Sequence, residues 1–432
     1  MPEMPNEIAY VNARLLCPAN GLDTIGSLVV RDGKIADLGT DIKIAADIKQ
    51  IDCKGLALMP GLVDMQVFTG EPGEEHRETL ASVSVAAAAG GVTHIVTMPN
   101  TQPTIDDAAL VDFIRRRARG TAQVHIYPMA AITKNCAGDT LTEFGLLAEA
   151  GAVAFTDGDR AVMSALTMRH ALAYAANFDA LIMQHAMDAD LQSAGVMHEG
   201  ELATRLGLTG IPVAAETTII DRDLRLVALT GARYHIAQLS SADSVDAVRR
   251  AKADGQRVTC SVSATHLMLN ENDVENYRTF AKLSPPLRSE QDRLALLDGL
   301  ADGTIDVVVS GHNPQDVEAK RQPFAQAAYG TVGVETLLAN LLTLYHNGSH
   351  DLLKLLATVT CQPADILNLA AGRLEIGRTA DFVLVNLDTP WVVDADKLRS
   401  KSQNAAIEGR QVQGMVQSCY VAGEVVFQHN NN

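Results

Sequence analysis

The stretch "PGLVDMQVFTGEPGEEHRET", residues 60–79, contains the parts of one strand–helix unit in chain order. Its first part, "GLVDMQVF" (61–68), is a short and mostly apolar run, which is typical of a buried strand. Glu-Pro-Gly (71–73) follows as a turn, because proline presets φ and glycine tolerates positive φ. The helical pattern "RETLASVSVAAAAGG" (77–91) then ends in a glycine pair suited to a helix C-terminus. The stretch therefore predicts one β/α unit.

The same alternation recurs through the middle of the chain. Seven further strand candidates are "VTHIVTM" (92–98), "VHIYPMAA" (124–131), "AVAFTD" (152–157), "ALIMQH" (180–185), "RYHIAQ" (233–238), "RVTCSVS" (257–263) and "IDVVVSG" (305–311). Eight strands that alternate with helices match the count of a closed (β/α)8 TIM barrel. An open doubly wound sheet could also hold eight strands, so the count alone leaves both architectures open.

Both ends of the chain are strand-rich. "EIAYVNARLL" (7–16) and "GSLVVRDGKIADLG" (26–39) alternate apolar and polar residues, and Asp-Gly in the second marks a hairpin. Near the other end, "ADFVLVNLD" (380–388) and "VQGMVQSCYVAGEVVFQ" (412–428) have the same pattern. We expect residues 1–58 and 375–432 to form one small β-sandwich domain. Residues 59–374 then form the barrel domain.

Composition and charge narrow the class of protein. The chain has 432 residues, 47% of them hydrophobic, which is ample for a globular core. Its formal net charge of −17 argues against nucleic acid or an anionic membrane as a partner. Six cysteines contain no C-x-x-C pair, and the N-terminus shows no export signal. We expect a cytoplasmic protein with reduced thiols.

In such barrels the chemistry lies at the carboxyl ends of the strands. The side chains expected there are Gln66, Phe68, Met98, Asn100, Asp157, His185, Gln238, Gly311 and His312. A hydrolytic zinc site needs at least three His, Cys or carboxylate ligands and an open position for water. Only Asp157 and His185 are good ligands, and His312 is a possible third. The residue types therefore predict weak zinc binding or none, and no cofactor is expected.

Four ordered motifs carry a resemblance to a known family. "PGLVDMQVFTGEPGEEHRET", "GGVTHIVTMPNTQPTID" (90–106), "SPPLRSEQDR" (284–293) and "DGTIDVVVSGHNPQ" (302–315) resemble dihydroorotases of the amidohydrolase superfamily. The resemblance runs nearly from end to end. It implies a barrel of the metal-dependent hydrolase type, with a small β domain built from both termini.

The resemblance also shows where metal ligands have been lost. Active members carry H-x-H at the end of the first strand, where this chain has Gln66 and Phe68. The bridging ligand after strand four corresponds to Asp157, and the strand-five histidine corresponds to His185. The strand-six histidine falls on Gln238, and the catalytic aspartate falls on Gly311. Asp157 and His185 are the only ligand types retained.

The family's substrate contacts are depleted in the same way. The arginine that pairs the substrate carboxylate falls on Gly70, and an asparagine falls on Ser284. The final histidine of the family's D-H-A-P-H motif falls on Gln315, whereas Asn100 is retained. Without the arginine, an anionic ligand loses a charge-assisted contact worth roughly 1.5–3 kcal/mol. No catalytic residue is left intact.

We therefore expect a dihydroorotase-like pseudoenzyme. It is most similar to the inactive chain that holds bacterial aspartate transcarbamoylase trimers in a larger complex. The expected partners are the transcarbamoylase catalytic chain, a second copy of this chain, or both. The alternative is an active zinc dihydroorotase that converts carbamoyl-aspartate to dihydroorotate at a depleted metal site. A third possibility is a binding protein that uses the empty barrel mouth.

Overall fold

The computed structural model describes residues 7–429. Strands dominate both ends, and strands and helices alternate between them. The strands are β1 (Glu7–Cys17), β2 (Leu22–Arg31), β3 (Lys34–Gly39), β4 (Lys49–Asp52), β5 (Ala57–Pro60), β6 (Leu62–Val67), β7 (Val92–Thr97), β8 (His125–Pro128), β9 (Leu181–His185), β10 (Met197–His198), β11 (Gly210–Ile211), β12 (Arg233–Ala237), β13 (Val258–Ser263), β14 (Val307–Val309), β15 (Phe382–Val392), β16 (Gln411–Val421) and β17 (Glu424–Gln428).

The helices lie mainly between the strands of the middle section. They are α1 (Leu80–Ala89), α2 (Ala108–Thr121), α3 (Phe144–Ala150), α4 (Ala165–Ala176), α5 (Ala189–Gln192), α6 (Glu201–Leu206), α7 (Ala214–Thr230), α8 (Ala242–Ala253), α9 (Ala264–Met268), α10 (Glu290–Ala301), α11 (Val317–Lys320), α12 (Leu337–His346), α13 (Leu352–Ala357) and α14 (Cys361–Ile366). Side-chain caps start most of the longer ones; for example, Thr79 accepts from the Ser82 N–H at the start of α1. Across residues 7–429, no helix combines the length and apolar character that a membrane crossing requires.

Strands from both ends of the chain form one eight-stranded sheet. Its order is β17-β16-β15-β5-β1-β2-β3, with β4 beside β1. The two ends meet where β5 pairs antiparallel with β15, in the register Met59 to Val383. The predicted β domain from both termini is therefore confirmed. Strand β5 runs across the predicted boundary at residues 58 and 59, and the exact domain limits stay a prediction.

An aromatic cluster holds the two ends of the chain together inside this sheet domain. The ring of Tyr10 lies edge-on to Phe382 and Tyr420, with centroid distances of 4.9 and 5.2 Å. Phe382 and Tyr420 stack on each other at 4.4 Å. All three are buried, and such aromatic contacts stabilise a core beyond the area they bury.

The middle section closes into a barrel. Strands β6, β7 and β8 form one parallel sheet, and β9, β12, β13 and β14 form another. Phe155 bridges the two sheets through single parallel pairings with Ala130 and Ile182. On the other side, Val67 pairs with His312 beyond the end of β14. These bridges complete the ring, so the predicted (β/α)8 barrel is confirmed and the open sheet is excluded.

The fourth predicted strand, "AVAFTD" (152–157), is only partly regular. Phe155 pairs with both neighbours in single parallel bridges. Val153 and Thr156 add backbone hydrogen bonds to the end of β8 and the residues after it, so the segment occupies the fourth strand position of the barrel. Gly151, at φ +111°, ends α3 directly before it, and at its other end the side chain of Asp157 binds the Thr133 N–H.

Apolar side chains fill the barrel interior below its mouth. The interior cluster is rich in methionine and valine, including Met65, Val96, Met129, Met183 and Val307. A second, larger cluster packs the outer faces of the strands against the helices. Because the interior is filled, a ligand can approach the barrel strands only at their carboxyl ends.

Candidate functional site at the barrel mouth

A cavity of about 700 Å³ opens at the carboxyl ends of the barrel strands. The structure brings almost all sequence-predicted site residues to its wall. Those that line it are Gln66, Phe68, Asn100, Asp157, His185, Gln238, Ser284, Gly311, His312 and Gln315. Gly70 alone among the predicted positions does not line the cavity. The roles of these residues stay predictions, but their convergence on one cavity is a structural fact.

The position of the family's substrate-binding arginine has no room for a side chain. Gly70 has φ +72°, a conformation that favours glycine. A Cβ atom placed there would lie 2.5 Å from the Glu74 carbonyl oxygen and 3.0 Å from that of Glu78. An arginine side chain at position 70 would therefore collide with the backbone of the loop after β6.

Phe68 belongs to the barrel core, and its ring packs against the guanidinium group of Arg77. Its ring is buried with the interior cluster, and the guanidinium of Arg77 lies 4.3 Å from its centroid. Arg77 also donates to the Pro314 carbonyl at 2.8 Å and to Asn313 Oδ1 at 2.7 Å. The arginine is thus held across the rim of the mouth. Sequence analysis missed it, although it lies within the stretch quoted first.

Asp157 is fully engaged by protein groups. Its Oδ1 accepts from the Thr133 N–H at 2.9 Å, and its Oδ2 accepts from the Thr133 hydroxyl at 2.5 Å. Burial raises the pKa of Asp157, and these two hydrogen bonds oppose that effect. The carboxylate therefore fixes the loop that begins at Thr133, and each of its oxygens already accepts one hydrogen bond. No sequence pattern pointed to Thr133.

His185 makes one polar contact at the mouth. Its Nε2 shares a hydrogen bond of 3.1 Å with Ser284 Oγ, so two predicted site residues bind each other. Burial lowers the pKa of His185, so that its imidazole is neutral at pH 7. A neutral imidazole can act as a ligand, but among residues 7–429 no group of three His, Cys, Asp or Glu ligand atoms converges around this one.

The side chain of Gln238 lies directly beside Gly311. Gly311 has φ +63°, and a Cβ added to it would lie 2.8 Å from Gln238 Nε2 and 3.1 Å from Ser263 Cβ. The side chain of Gln238 therefore occupies the volume into which a residue 311 side chain would extend. The two departures from the family pattern fit each other sterically.

His312 lies in the wall of the mouth cavity, beside a buried carboxylate. Its Nδ1 accepts from the Gly333 N–H at 3.2 Å, and its Nε2 lies 3.7 Å from Glu78 Oε2. Both side chains of this pair are fully buried. Glu78 is also held by the Ser400 hydroxyl at 2.5 Å. Sequence analysis left His312 as a possible third ligand, and its Nε2 faces Glu78 without making a hydrogen bond.

Two amide oxygens of the mouth are left without partners. Gln66 Oε1 and Asn100 Oδ1 are buried and accept no hydrogen bond. Unsatisfied buried acceptors cost roughly 1–3 kcal/mol each, so a polar donor in the cavity would be favoured. The mouth can therefore receive a hydrogen-bond donor, although neither amide supplies charge for catalysis.

The donor set does not fit a zinc ion at the mouth. Asp157 is hydrogen-bonded to Thr133 through both oxygens, His185 shares a hydrogen bond with Ser284, and His312 Nε2 lies 3.7 Å from Glu78. A zinc site needs three such ligands close together. Within residues 7–429, three His, Cys, Asp or Glu side chains converge in this way only at His94, His125 and Asp381. The expectation that the chain has no metal at all is therefore not supported.

Comparisons with known proteins agree on one family. Residues 55–244 match the family model described as "Dihydro-orotase-like". The dihydroorotase of Ehrlichia chaffeensis is 43% identical over 425 residues, which cover 97% of this chain and 95% of that protein. The dihydroorotase of Syntrophus aciditrophicus is 41% identical over 425 residues, which cover 98% of this chain and all of that protein.

Solved structures agree with the fold. The L-hydantoinase (dihydropyrimidinase) of Arthrobacter aurescens superposes with a TM-score of 0.88 at 26% identity, covering 98% of this chain and 96% of that one. A dihydropyrimidinase from Brevibacillus agri gives 0.85 at 22% identity, with coverage of 98% and 95%; at that identity the likeness concerns the fold alone.

Proposed function

The chain belongs to the dihydroorotase-like family of the amidohydrolase superfamily, and from this membership we propose a dihydroorotase-like protein of pyrimidine biosynthesis whose own barrel mouth is catalytically inactive. The proposal rests on the hydrogen bonds and the packing of the residues at the barrel mouth. Asp157 is bound by Thr133 through both oxygens, and Gln238 fills the space beside Gly311.

The chemistry that the family reaction needs supports the same view. Closing or opening a cyclic amide requires a polarised carbonyl group and a group that moves a proton at the reacting atom. Position 311 has no side chain, Asp157 is hydrogen-bonded to Thr133 through both oxygens, and His312 Nε2 lies 3.7 Å from Glu78. His185 and the free amide oxygens can bind and orient a ligand. They offer no charged base positioned to take a proton.

We further propose that the fold is kept for assembly with the aspartate transcarbamoylase catalytic chain. The family resemblance suggests this partner, and an exposed apolar pair offers a surface for it. Leu146 on α3 is 59% exposed, and Phe178 just beyond α4 is 48% exposed. The Phe178 ring lies against Gly145, the residue before Leu146 on α3. We propose these two exposed apolar side chains as the first positions at which to test contact with the partner.

Co-purification tests the partner. An affinity tag on this chain should recover the transcarbamoylase catalytic chain when the two are co-expressed, and Leu146→Ser combined with Phe178→Ser should weaken recovery. The matched control is Leu229→Ser combined with Ile25→Ser, since these residues are exposed to a similar degree elsewhere. A chain that never associates with the transcarbamoylase defeats the assembly proposal.

A second candidate is an active dihydroorotase. The names of relatives that are 41–43% identical over nearly the full length favour it. In this view Asp157 and His185 hold zinc together with Gln238 or His312. Asp157 would bind the ion through oxygens that already accept from Thr133, and His312 through an Nε2 that lies 3.7 Å from Glu78.

Genetic complementation separates the two candidates. We expect that this chain, produced in a bacterium that lacks dihydroorotase, will not restore growth without added pyrimidine. Growth that is lost with Asp157→Asn but kept with Asp159→Asn, an exposed neighbour at the same rim, would instead establish the active enzyme.

A further inference from the structure

Three metal-ligating side chains converge where the barrel meets the sheet domain. His94 lies on β7 and His125 is the first residue of β8, and the two are direct neighbours in the parallel register. Asp381 directly precedes β15 of the sheet domain. Its Oδ2 lies 3.6 Å from His94 Nε2 and 3.2 Å from His125 Nε2. This group is separate from the barrel mouth and none of its members lines the mouth cavity.

We propose that His94, His125 and Asp381 form a binding site for a divalent cation of the Zn²⁺ class. The ligand atoms are Nε2 of both histidines and Oδ2 of the aspartate. Bonds of about 2.0–2.2 Å in a tetrahedral site place neighbouring ligand atoms roughly 3.3–3.6 Å apart. The two measured separations, 3.2 and 3.6 Å, match this spacing.

The remaining atoms of the ligands are already oriented by the protein. His94 Nδ1 shares a hydrogen bond of 2.9 Å with the Thr93 hydroxyl, which leaves Nε2 facing Asp381. Asp381 Oδ1 accepts from the Ala422 N–H at 2.7 Å, which leaves Oδ2 facing the histidines. Outer partners of this kind fix ligand direction in metal sites. The proposed site has them for two of its three ligands.

A polar atom without a partner points into the same space. His125 Nε2 is buried and makes no hydrogen bond, even though Asp381 Oδ2 is close. Two protonated imidazoles are a poor explanation, because the rings lie 4.6 Å apart and like charges would repel. A cation between them uses both rings in their neutral form and satisfies the orphaned nitrogen.

The donor types select among cations. Two imidazoles and one carboxylate suit zinc and its transition-metal neighbours, whereas magnesium and calcium prefer an all-oxygen set. The side chain of His125 is 36% exposed, which places the group next to solvent, although the ligand atom Nε2 is itself buried. A cation here would cross-link β7 and β8 of the barrel to the sheet domain. The proposal does not depend on whether the barrel mouth is catalytic.

Metal titration of the full-length protein tests the proposal. After chelator treatment and gel filtration, we expect wild-type protein to bind one Zn²⁺ per chain and its Tm to rise on zinc addition. Co²⁺ in its place should give the intense visible absorption of a tetrahedral site. His125→Gln and Asp381→Asn should each weaken Zn²⁺ binding at least tenfold. Asp381→Asn keeps the acceptor for the Ala422 N–H, so it preserves the local fold.

Two matched variants complete the design. His170→Gln changes an exposed histidine on α4, and His185→Gln changes the free ligand type at the mouth; both should bind Zn²⁺ like wild type. Melting curves without metal show whether each variant is folded. The proposal is overturned if wild type binds no Zn²⁺. It is equally overturned if folded His125→Gln and Asp381→Asn bind it normally, or if His185→Gln alone abolishes binding.

Discussion

At the scale of single residues, the residues at the predicted ligand positions contact one another. Gln238 fills the volume beside Gly311, and Ser284 hydrogen-bonds His185. Arg77 covers the ring of Phe68. A side chain introduced at position 311 alone therefore meets Gln238, although a cavity of about 700 Å³ stays open in front of these residues.

We predict that Gly311→Asp lowers the free energy of unfolding more than the backbone conformation alone would explain. Positive φ costs a non-glycine residue roughly 1–2 kcal/mol. The clash with Gln238 Nε2 and Ser263 Cβ should add about 1–3 kcal/mol, as overpacking does in cores. Gly303→Asp is the matched control, since Gly303 has φ +81° with nothing within 4 Å of the added Cβ. If urea unfolding shows that Gly311→Asp and Gly303→Asp lower the free energy of unfolding equally, the predicted clash at position 311 is contradicted.

The identities of the mouth residues could be listed from the sequence, but their partners could not. Gln66, Asp157, His185, Gln238 and Gly311 were placed by motif order, and all five line the cavity. Motif order gives no distances. It could not reveal that Thr133 binds both oxygens of Asp157, or that Gly70 is closed off by backbone carbonyls.

At the scale of elements, Asp157 ties the shortened fourth barrel segment to the loop at Thr133. The Thr133 hydroxyl donates to Asp157 and accepts from the Gly138 N–H at 2.8 Å. One carboxylate thus organises a turn that would otherwise carry unpaired N–H groups. The interaction gives Asp157 a purpose that needs no metal.

We predict that Asp157→Ala destabilises the protein by roughly 1–3 kcal/mol without any metal present, because the buried Thr133 N–H loses its acceptor. Chelator-treated protein in denaturant titrations gives the measurement. Asp159→Ala, at an exposed position two residues away, should change stability by less than about 0.5 kcal/mol. If Asp157→Ala is neutral in metal-free protein and harmful only in zinc-loaded protein, the carboxylate is a ligand after all.

A second carboxylate couples the start of α12 to the segment before β16. Glu335 Oε1 accepts from the Arg399 N–H at 2.7 Å and from the Ser400 N–H at 3.0 Å. Burial raises the pKa of Glu335 to about 7 from an ordinary 4.5. Because the folded pKa is the higher one, the stabilising contribution is complete below pH 4.5. It is lost as the pH rises through 7.

We predict that Glu335→Gln removes this pH dependence while keeping the oxygen that accepts both N–H groups. Between pH 5 and 8 the variant should gain roughly 1–3 kcal/mol of stability relative to wild type, as the rise in the pKa of Glu335 from 4.5 to about 7 implies. Urea unfolding at several pH values measures it. Glu318→Gln on α11, where the side chain is 83% exposed, should give a profile parallel to wild type. If the stability of Glu335→Gln also changes with pH in parallel with wild type, the carboxyl group of Glu335 does not cause the pH dependence.

The elements themselves were readable from the sequence where the pattern is long and periodic. Seven of the eight predicted barrel strands are continuous, because apolar runs between helical patterns are a strong signal. The fourth occupies its place with paired bridges only at Phe155, between tertiary contacts at Gly151 and Asp157. Composition alone contains no information on those contacts.

At the scale of the whole molecule, the chain ends meet in one sheet, and the barrel rests on it. The alternating sequence pattern at both ends of the chain predicted this sheet. The two ends are joined where β5 pairs with β15. The group of His94, His125 and Asp381 at the same junction was invisible in the sequence, because its members are far apart along the chain. Partner, oligomeric state and cytoplasmic location stay predictions.

The central claim is that the barrel mouth does not close or open the dihydroorotate ring. The most direct test measures the turnover of carbamoyl-aspartate and of dihydroorotate by protein loaded with zinc. Zinc is added so that the proposed cation site at the junction is occupied as well. The account predicts rates equal to those without protein. Turnover that disappears in His185→Gln and Asp157→Asn but survives in His170→Gln would contradict it.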